Sequence, residues 1–267
     1  MALLPKDYLD AVVSIGGIEE EKFRSVATGF IVGFSTSEVD EENQPLYETY
    51  LVTNKHVFED REVVQVRFNF TEKGSEIYNL PLVSDEGNKL WMAHPQAKID
   101  VGVVGIDVNL LEKQGIKYSF LTDELMAFSK TIKEEGIAQG DGVFILGFPM
   151  GIAGKEKNYV VVRKGIIARL DDEILSEENC FLTDSMVFPG NSGGPVVLKP
   201  EVASLGETKP VGKAYVLGVI SGYIPFRDKA ISMRTGEPRM EIVENSGLAR
   251  VVPMDYVEET IEQSKRN

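Results

Sequence analysis

A hydroxyl attacks a carbonyl at neutral pH when a base takes its proton, a third group orients that base, and donors await the developing oxyanion. Three local contexts in this chain offer candidates for those roles. Ser192 stands in PGNSGGPVV, where Pro189, Gly190, Gly193 and Gly194 suit a tight turn and close backbone approach. In such a loop the N–H groups of Gly190 and Ser192 converge beside the hydroxyl, each worth about 3 kcal/mol to a tetrahedral intermediate. Asn191 completes this oxyanion loop and shapes its turn. His56, in YLVTNKHVFED, lies where an apolar strand turns polar, a rim position for a general base. Asp100, in AKIDVGVVGI, precedes a strand apolar enough to be buried, which suits a shielded carboxylate that orients the base.

Each feature alone is ordinary, since a Gly-rich turn with a serine is more often a hairpin than a reactive centre. Their joint occurrence carries the weight. The order is His, Asp, Ser, with separations of 44 (100 minus 56) and 92 (192 minus 100) residues, and that is one of the known triad orders. The rivals are weaker. His94, in MAHPQAKID, has a Pro-flanked polar setting that reads as a surface loop. Cys180 sits against Phe181 and Leu182 with no base nearby in sequence, so a buried apolar role is expected. GFPMGIAGKE fails as a phosphate loop because Pro149 occupies the first glycine position and Glu156 follows Lys155.

These residues need strands to hold them. Short Val-, Ile- and Phe-rich runs at 11–15, 27–34, 50–54, 101–106, 142–148, 159–167, 180–184, 194–198 and 215–222 recur between Gly, Asp and Asn clusters. From Val64 to Phe70, apolar Val64, Val66, Phe68 and Phe70 alternate with Gln65, Arg67 and Asn69, the period of a strand with one buried face. The count suits a pair of barrels. Helix formers fill 121–135, a natural bridge between barrels, and PMDYVEETIEQ closes the chain with Met254, Val257 and Ile261 on one helical face. SEVDEENQ at 37–44 reads as a solvated loop, and 225–246 as a long polar loop facing substrate or a partner.

Composition sets outer limits. The chain has 267 residues, 43% of them hydrophobic, and can bury a substantial core. Its formal net charge of -14 repels phosphate backbones and anionic headgroups, so neither nucleic acid nor membrane is an expected partner. One cysteine and two histidines make neither an internal disulfide nor an ordinary zinc site, and no cofactor is expected. Lys6, Asp7 and Asp10 interrupt the apolar start, so no secretion signal is expected, and the cytoplasm is the expected location.

TNKHV, IDVGVV and TDSMVFPGNSGGPVV resemble the three signature segments of trypsin-like serine peptidases, with bacterial HtrA/DegP-type protease domains nearest. ATGFIVG, VFILGFPMG, VVRKGIIARL and VLGVISGY resemble supporting strands of that family, so the likeness spans residues 11–261. The resemblance implies an all-β chymotrypsin/trypsin fold of two six-stranded antiparallel barrels and a C-terminal helix. The whole chain is then one peptidase unit, with barrels at 11–120 and 137–253, a linker at 121–136 and a helix at 254–267.

It further implies a serine endopeptidase with His56 as base and acid, Asp100 as its partner, Ser192 as nucleophile, and Gly190 with Ser192 as oxyanion donors. Ser221, Gly222 and Tyr223 would pair with an extended substrate backbone, and Met186 with Tyr223 would line the primary pocket. Met186 implies a preference for apolar or small side chains before the cut, against which Asp184 stands nearby. Asn191 replaces the Asp that pairs with a new N-terminus in digestive members, so no pro-segment is expected. Only 75 residues (267 minus 192) follow Ser192, so a PDZ domain is not expected. The partner is a protein or peptide substrate, and nothing in the sequence indicates a homo-oligomer. The alternatives are a catalytically silent protease-like binding module and a hydrolase of esters or other acyl donors with the same triad.

Overall fold

A computed structural model describes residues 4–70, 74–201 and 210–265. In chain order its strands are β1 (Val12–Glu19), β2 (Lys22–Val39), β3 (Pro45–Thr53), β4 (Val63–Phe70), β5 (Ser75–Pro81), β6 (Trp91–Ala93), β7 (Gly102–Gly105), β8 (Ile116–Lys117), β9 (Leu121–Thr122), β10 (Gly142–Gly147), β11 (Val161–Arg169), β12 (Phe181–Asp184), β13 (Pro195–Leu198), β14 (Val216–Ile231) and β15 (Pro238–Pro253). The helices are α1 (Lys6–Asp10), α2 (Lys55–Phe58), α3 (Val108–Lys113), α4 (Ser129–Glu135), α5 (Asp172–Glu178) and α6 (Met254–Ser264).

The second half closes as expected. Strands β10, β11, β12, β15, β14 and β13 form a six-stranded barrel, sealed by the β10–β13 ladder that pairs Val143 with Leu198. The first half departs from the expected closed barrel. It is a curled sheet in the order β5-β4-β1-β2-β3-β7-β6, with β8 and β9 attached off that path. Its outer strands do not pair along their length because β6 has three residues and the chain turns back through polar 84–88. The seam is tied at one bridge, Val83 to Lys89, and by the Leu90 N–H donating to Leu82 C=O at 2.9 Å.

Strand alternation does what the sequence promised inside both halves. Val64, Val66 and Phe68 point into one apolar cluster with Ile15, Ile31, Leu51, Phe58 and Trp91. A second cluster fills the closed barrel around Ile145, Ile167, Phe181 and Val251. Between them a third joins Phe30, Val52 and Val103 of the first sheet to Phe148, Val197 and Val216 of the barrel. Met254, Val257 and Ile261 of α6 insert into this shared core, as their helical spacing predicts. Burying such side chains stabilises by about 1.5–3 kcal/mol each, so the two halves are held in one register.

Several elements differ from the sequence reading. The bridge at 121–135 holds β9, a single 3-10 turn at Asp123–Leu125 and α4, and it is anchored by the Ala127 N–H donating to Val216 C=O at 2.9 Å. Residues 225–246 are not a loop but the outer part of a long β14–β15 ribbon, with Phe226 opposite Glu244 and Asp228 opposite Ile242. Among the described residues no helix is long and apolar enough to cross a membrane.

Candidate active site

β3 delivers the base. Its last residue, Thr53, and Asn54 after it are fully buried, and the chain then turns into the four-residue α2, which carries His56 to the surface. β7 lies beneath that turn, and Gly102 permits the approach: a Cβ there would sit 2.9 Å from the Phe58 ring and 3.2 Å from Lys55 Cα. With β7 so close, Asp100 meets His56 twice. His56 Nδ1–H donates to Asp100 Oδ2 at 2.7 Å, and the His56 backbone N–H donates to Oδ1 at 3.1 Å. Asn54 Nδ2 also donates to the Asp100 backbone carbonyl at 2.9 Å. The carboxylate thereby fixes the tautomer with Nε2 as the free acceptor.

The same bond sets the electrostatics. Hydrogen bonding to Asp100 raises the His56 pKa above its ordinary 6.5, outweighing the opposing effect of burial. A raised folded-state pKa contributes stability that is fully present below pH 6.5 and lost as pH rises through the raised value. The imidazole is half exposed, at 51%, so it is open to a substrate.

The Ser192 loop packs onto the strand that leads to His56. The Thr28 N–H of β2 donates to Ser192 C=O at 2.9 Å, and Gly193, at φ +83°, lies against Thr53 Oγ1 and Thr28 C=O. Ile220 closes the other side, donating to Gly194 C=O and accepting from Gly193 N–H. The Gly190 and Ser192 N–H groups have no acceptor among the described residues, whereas Asn191 N–H is spent on Phe188 C=O at 2.9 Å. Asn191 therefore builds the turn: its Oδ1 also accepts from Phe188 N–H at 3.1 Å. The Ser192 hydroxyl makes no hydrogen bond of its own among the described residues.

Thr28 escaped the sequence reading. Its buried Oγ1 donates to Gly190 C=O at 2.6 Å and accepts from Phe148 N–H at 3.1 Å. A threonine inside an otherwise apolar strand, in ATGFIVG, was the available signal. Thr28→Val is expected to destabilise the protein by about 2–3 kcal/mol, because it leaves both buried partners unpaired, and chemical denaturation measures this directly.

The expected substrate residues lie together. Ser221, Gly222 and Tyr223 continue β14 past the point where its ladder to β13 ends, Val219 opposite Pro195, and the bonds of Ile220 to Gly193 and Gly194 close that side. Their other edge pairs with β15 through Gly222–Arg250 and Tyr223–Ala249. Beyond Ile220 the first edge is thus open to an added strand. Met186 is exposed, its Sδ 3.8 Å from the point where a Gly247 side chain would begin, and Asp184 Oδ1 lies 3.9 Å from that point. Met186 and Asp184 thus both lie close to Gly247.

Two other expectations resolve here. His94 is not on a surface loop; its ring is 1% exposed because α6 covers it, with Nε2 bonded to Glu259 at 3.0 Å and the ring packed edge-on against Tyr256. It serves no role at Asp100. Cys180 is buried in apolar surroundings, and that burial raises its thiol pKa. Among the described residues no group of three or more His, Cys, Asp or Glu side chains gathers to hold a metal.

The family profile of the trypsin-like peptidase domain matches residues 27–206, more than half of the chain. The chain belongs to this family. Among curated proteins none matches it. As a trypsin-like peptidase domain, it carries His56, Asp100 and Ser192 all within the matched span, on α2, ahead of β7 and on the loop before β13 respectively.

Proposed function

We propose that this protein is a serine endopeptidase of HtrA/DegP type, in which Ser192 attacks the scissile carbonyl and His56 takes its proton. Nε2 then returns that proton to the leaving amine, Asp100 stabilises the imidazolium, and the Gly190 and Ser192 N–H groups receive the oxyanion. Water completes the cycle by hydrolysing the acyl-enzyme at Ser192. The observation that carries this reading is the paired donation of His56 to Asp100, at 2.7 and 3.1 Å, beside a loop with two uncommitted N–H groups.

The substrate backbone adds to the open edge at Ser221, Gly222 and Tyr223, and the side chain before the cut enters beside Met186. Apolar or small side chains are favoured there. Incubation with unfolded casein, followed by mass analysis of the new termini, tests this. Internal cuts after apolar or small residues support it, and cuts confined to charged residues oppose it.

The pH profile supplies a second check. Catalysis needs neutral Nε2, so the acid limb of kcat/KM is expected above pH 6.5 in the wild type. Asp100→Asn removes the bond that raises the pKa, so the limb should move to lower pH while kcat falls about 10⁴-fold.

One observation favours a second reading, a silent protease-like binding module: Ser192 Oγ has no hydrogen bond to His56 at rest. Catalytic hydrogen bonds tighten on substrate binding, so resting geometry does not exclude turnover. Equal casein cleavage by wild type and His56→Ala would favour the module.

A further inference from the structure

Arg67 breaks the pattern of its strand. The alternation of β4 puts it on the face opposite Val66 and Phe68, where a charged side chain normally meets water. Instead the residue is 7% exposed, and no carboxylate among the described residues pairs with it. Its Nε–H donates to Ser75 Oγ at 2.7 Å, Nη1 to Gly154 C=O at 2.9 Å and Nη2 to Lys155 C=O at 2.9 Å, while the guanidinium lies 6.0 Å from the Phe23 ring. Burial depresses its pKa. An unpaired buried cation is costly, and here every bond it makes serves the irregular segment after Met150 or the strand beside it.

That segment is fastened at a second point. Asn69, also on β4, donates from Nδ2 to Asn158 C=O at 3.0 Å and accepts the Asn158 N–H at 2.7 Å, and Asn158 Nδ2 returns a bond to Arg67 C=O. Tyr159 N–H closes the loop on Ala153 C=O at 2.7 Å. The near end of the loop reaches the reaction centre. Met150, held at φ +55°, donates its N–H to Pro189 C=O at 2.6 Å. A trans peptide is planar, so fixing that carbonyl turns the Gly190 N–H to the opposite side, where no acceptor among the described residues takes it.

We propose that Arg67 is a positioning residue for the oxyanion donor: by gripping the carbonyls of Gly154 and Lys155 it holds the loop whose Met150 N–H sets the Pro189–Gly190 peptide plane. The first sheet thereby aims a donor that belongs to the second barrel. This rests on the peptidase reading above. Met150 occupies an unfavourable left-handed conformation within a turn closed by Gly151 N–H to Phe148 C=O and Ile152 N–H to Pro149 C=O, and Arg67 with Asn69 holds the far side of the same loop.

The test is steady-state kinetics on Arg67→Lys and Asn69→Ala, with folded active sites counted by fluorophosphonate titration. A peptide aldehyde, which forms a tetrahedral adduct, serves as the oxyanion probe. Lysine keeps the charge but cannot bridge two carbonyls and a hydroxyl together. Both variants should lose about tenfold or more in kcat per titrated site with KM nearly unchanged, and the aldehyde should weaken by the same factor. A purely structural role would lower the melting temperature and leave kcat per site untouched, which overturns the proposal. Should Arg67→Lys fail to fold, Asn69→Ala decides in the same terms. Inactive wild type overturns the peptidase reading and this role with it; active wild type with unaffected variants removes the role of Arg67 alone.

Discussion

Ser192→Ala is expected to lower kcat for peptide hydrolysis about a million-fold while leaving the melting temperature within about a degree of wild type. The loss follows from removing the atom that forms the acyl bond. The fold survives because Ser192 holds the structure through its backbone: its carbonyl accepts from Thr28 N–H at 2.9 Å, and its hydroxyl bonds to nothing among the described residues. His56→Ala should cost about as much, and the double variant no more than either, since nucleophile and base act as a unit. Residual turnover about 10³–10⁴ above water is expected from the remaining oxyanion donors and substrate binding. Separate, multiplicative losses would mean that the two side chains act independently.

Gly193→Ala should be the opposite kind of variant, losing activity and stability together. Gly193 has φ +83°, which an L side chain rarely adopts, and a Cβ there would overlap Thr53 Oγ1 and Thr28 C=O. Neither neighbour can yield easily. Thr53 Oγ1 donates to Thr28 C=O at 2.7 Å, and both residues belong to the paired strands β2 and β3. The loop must therefore lift off the strand that positions His56. A displacement of about 1 Å costs on the order of a hundredfold in rate, and the strain about 3 kcal/mol of stability. Denaturant unfolding with kcat on the same preparation checks both; wild-type stability with wild-type kcat would mean that the loop does not rest on Thr53.

The contrast between these variants shows what was readable in the sequence. Ser192, His56 and Asp100 announced themselves because each sits where a strand or turn changes character, and the structure does unite His56 with Asp100. The apolar face of β4 was legible from alternation, although Arg67 on the opposite face is buried too, and so was the buried stripe of α6. β15 was missed in its outer part because Glu241, Ile242, Val243 and Glu244 are all exposed on a two-stranded ribbon, which leaves no dry face to produce alternation. The open seam of the first sheet depends on how far β6 extends, and three residues give no period.

The residues that tie the parts together were the least legible. Thr28, Asn54, His94 and Arg67 are polar side chains whose partners lie far away in sequence, at Gly190, Asp100, Glu259 and Gly154. Polarity alone assigns such residues to the surface. Only the fold supplies the acceptors that make their burial tolerable, as the α6 carboxylate does for His94 and the loop carbonyls do for Arg67.

The most direct measurement of the central claim is fluorophosphonate labelling of the folded protein, with the modified residue located by tandem mass spectrometry. A single adduct on Ser192, abolished by heat denaturation and absent from Ser192→Ala, is the expected result. A folded protein that takes no label, or labels elsewhere with Ser192→Ala reacting equally, would contradict the assignment of Ser192 as nucleophile.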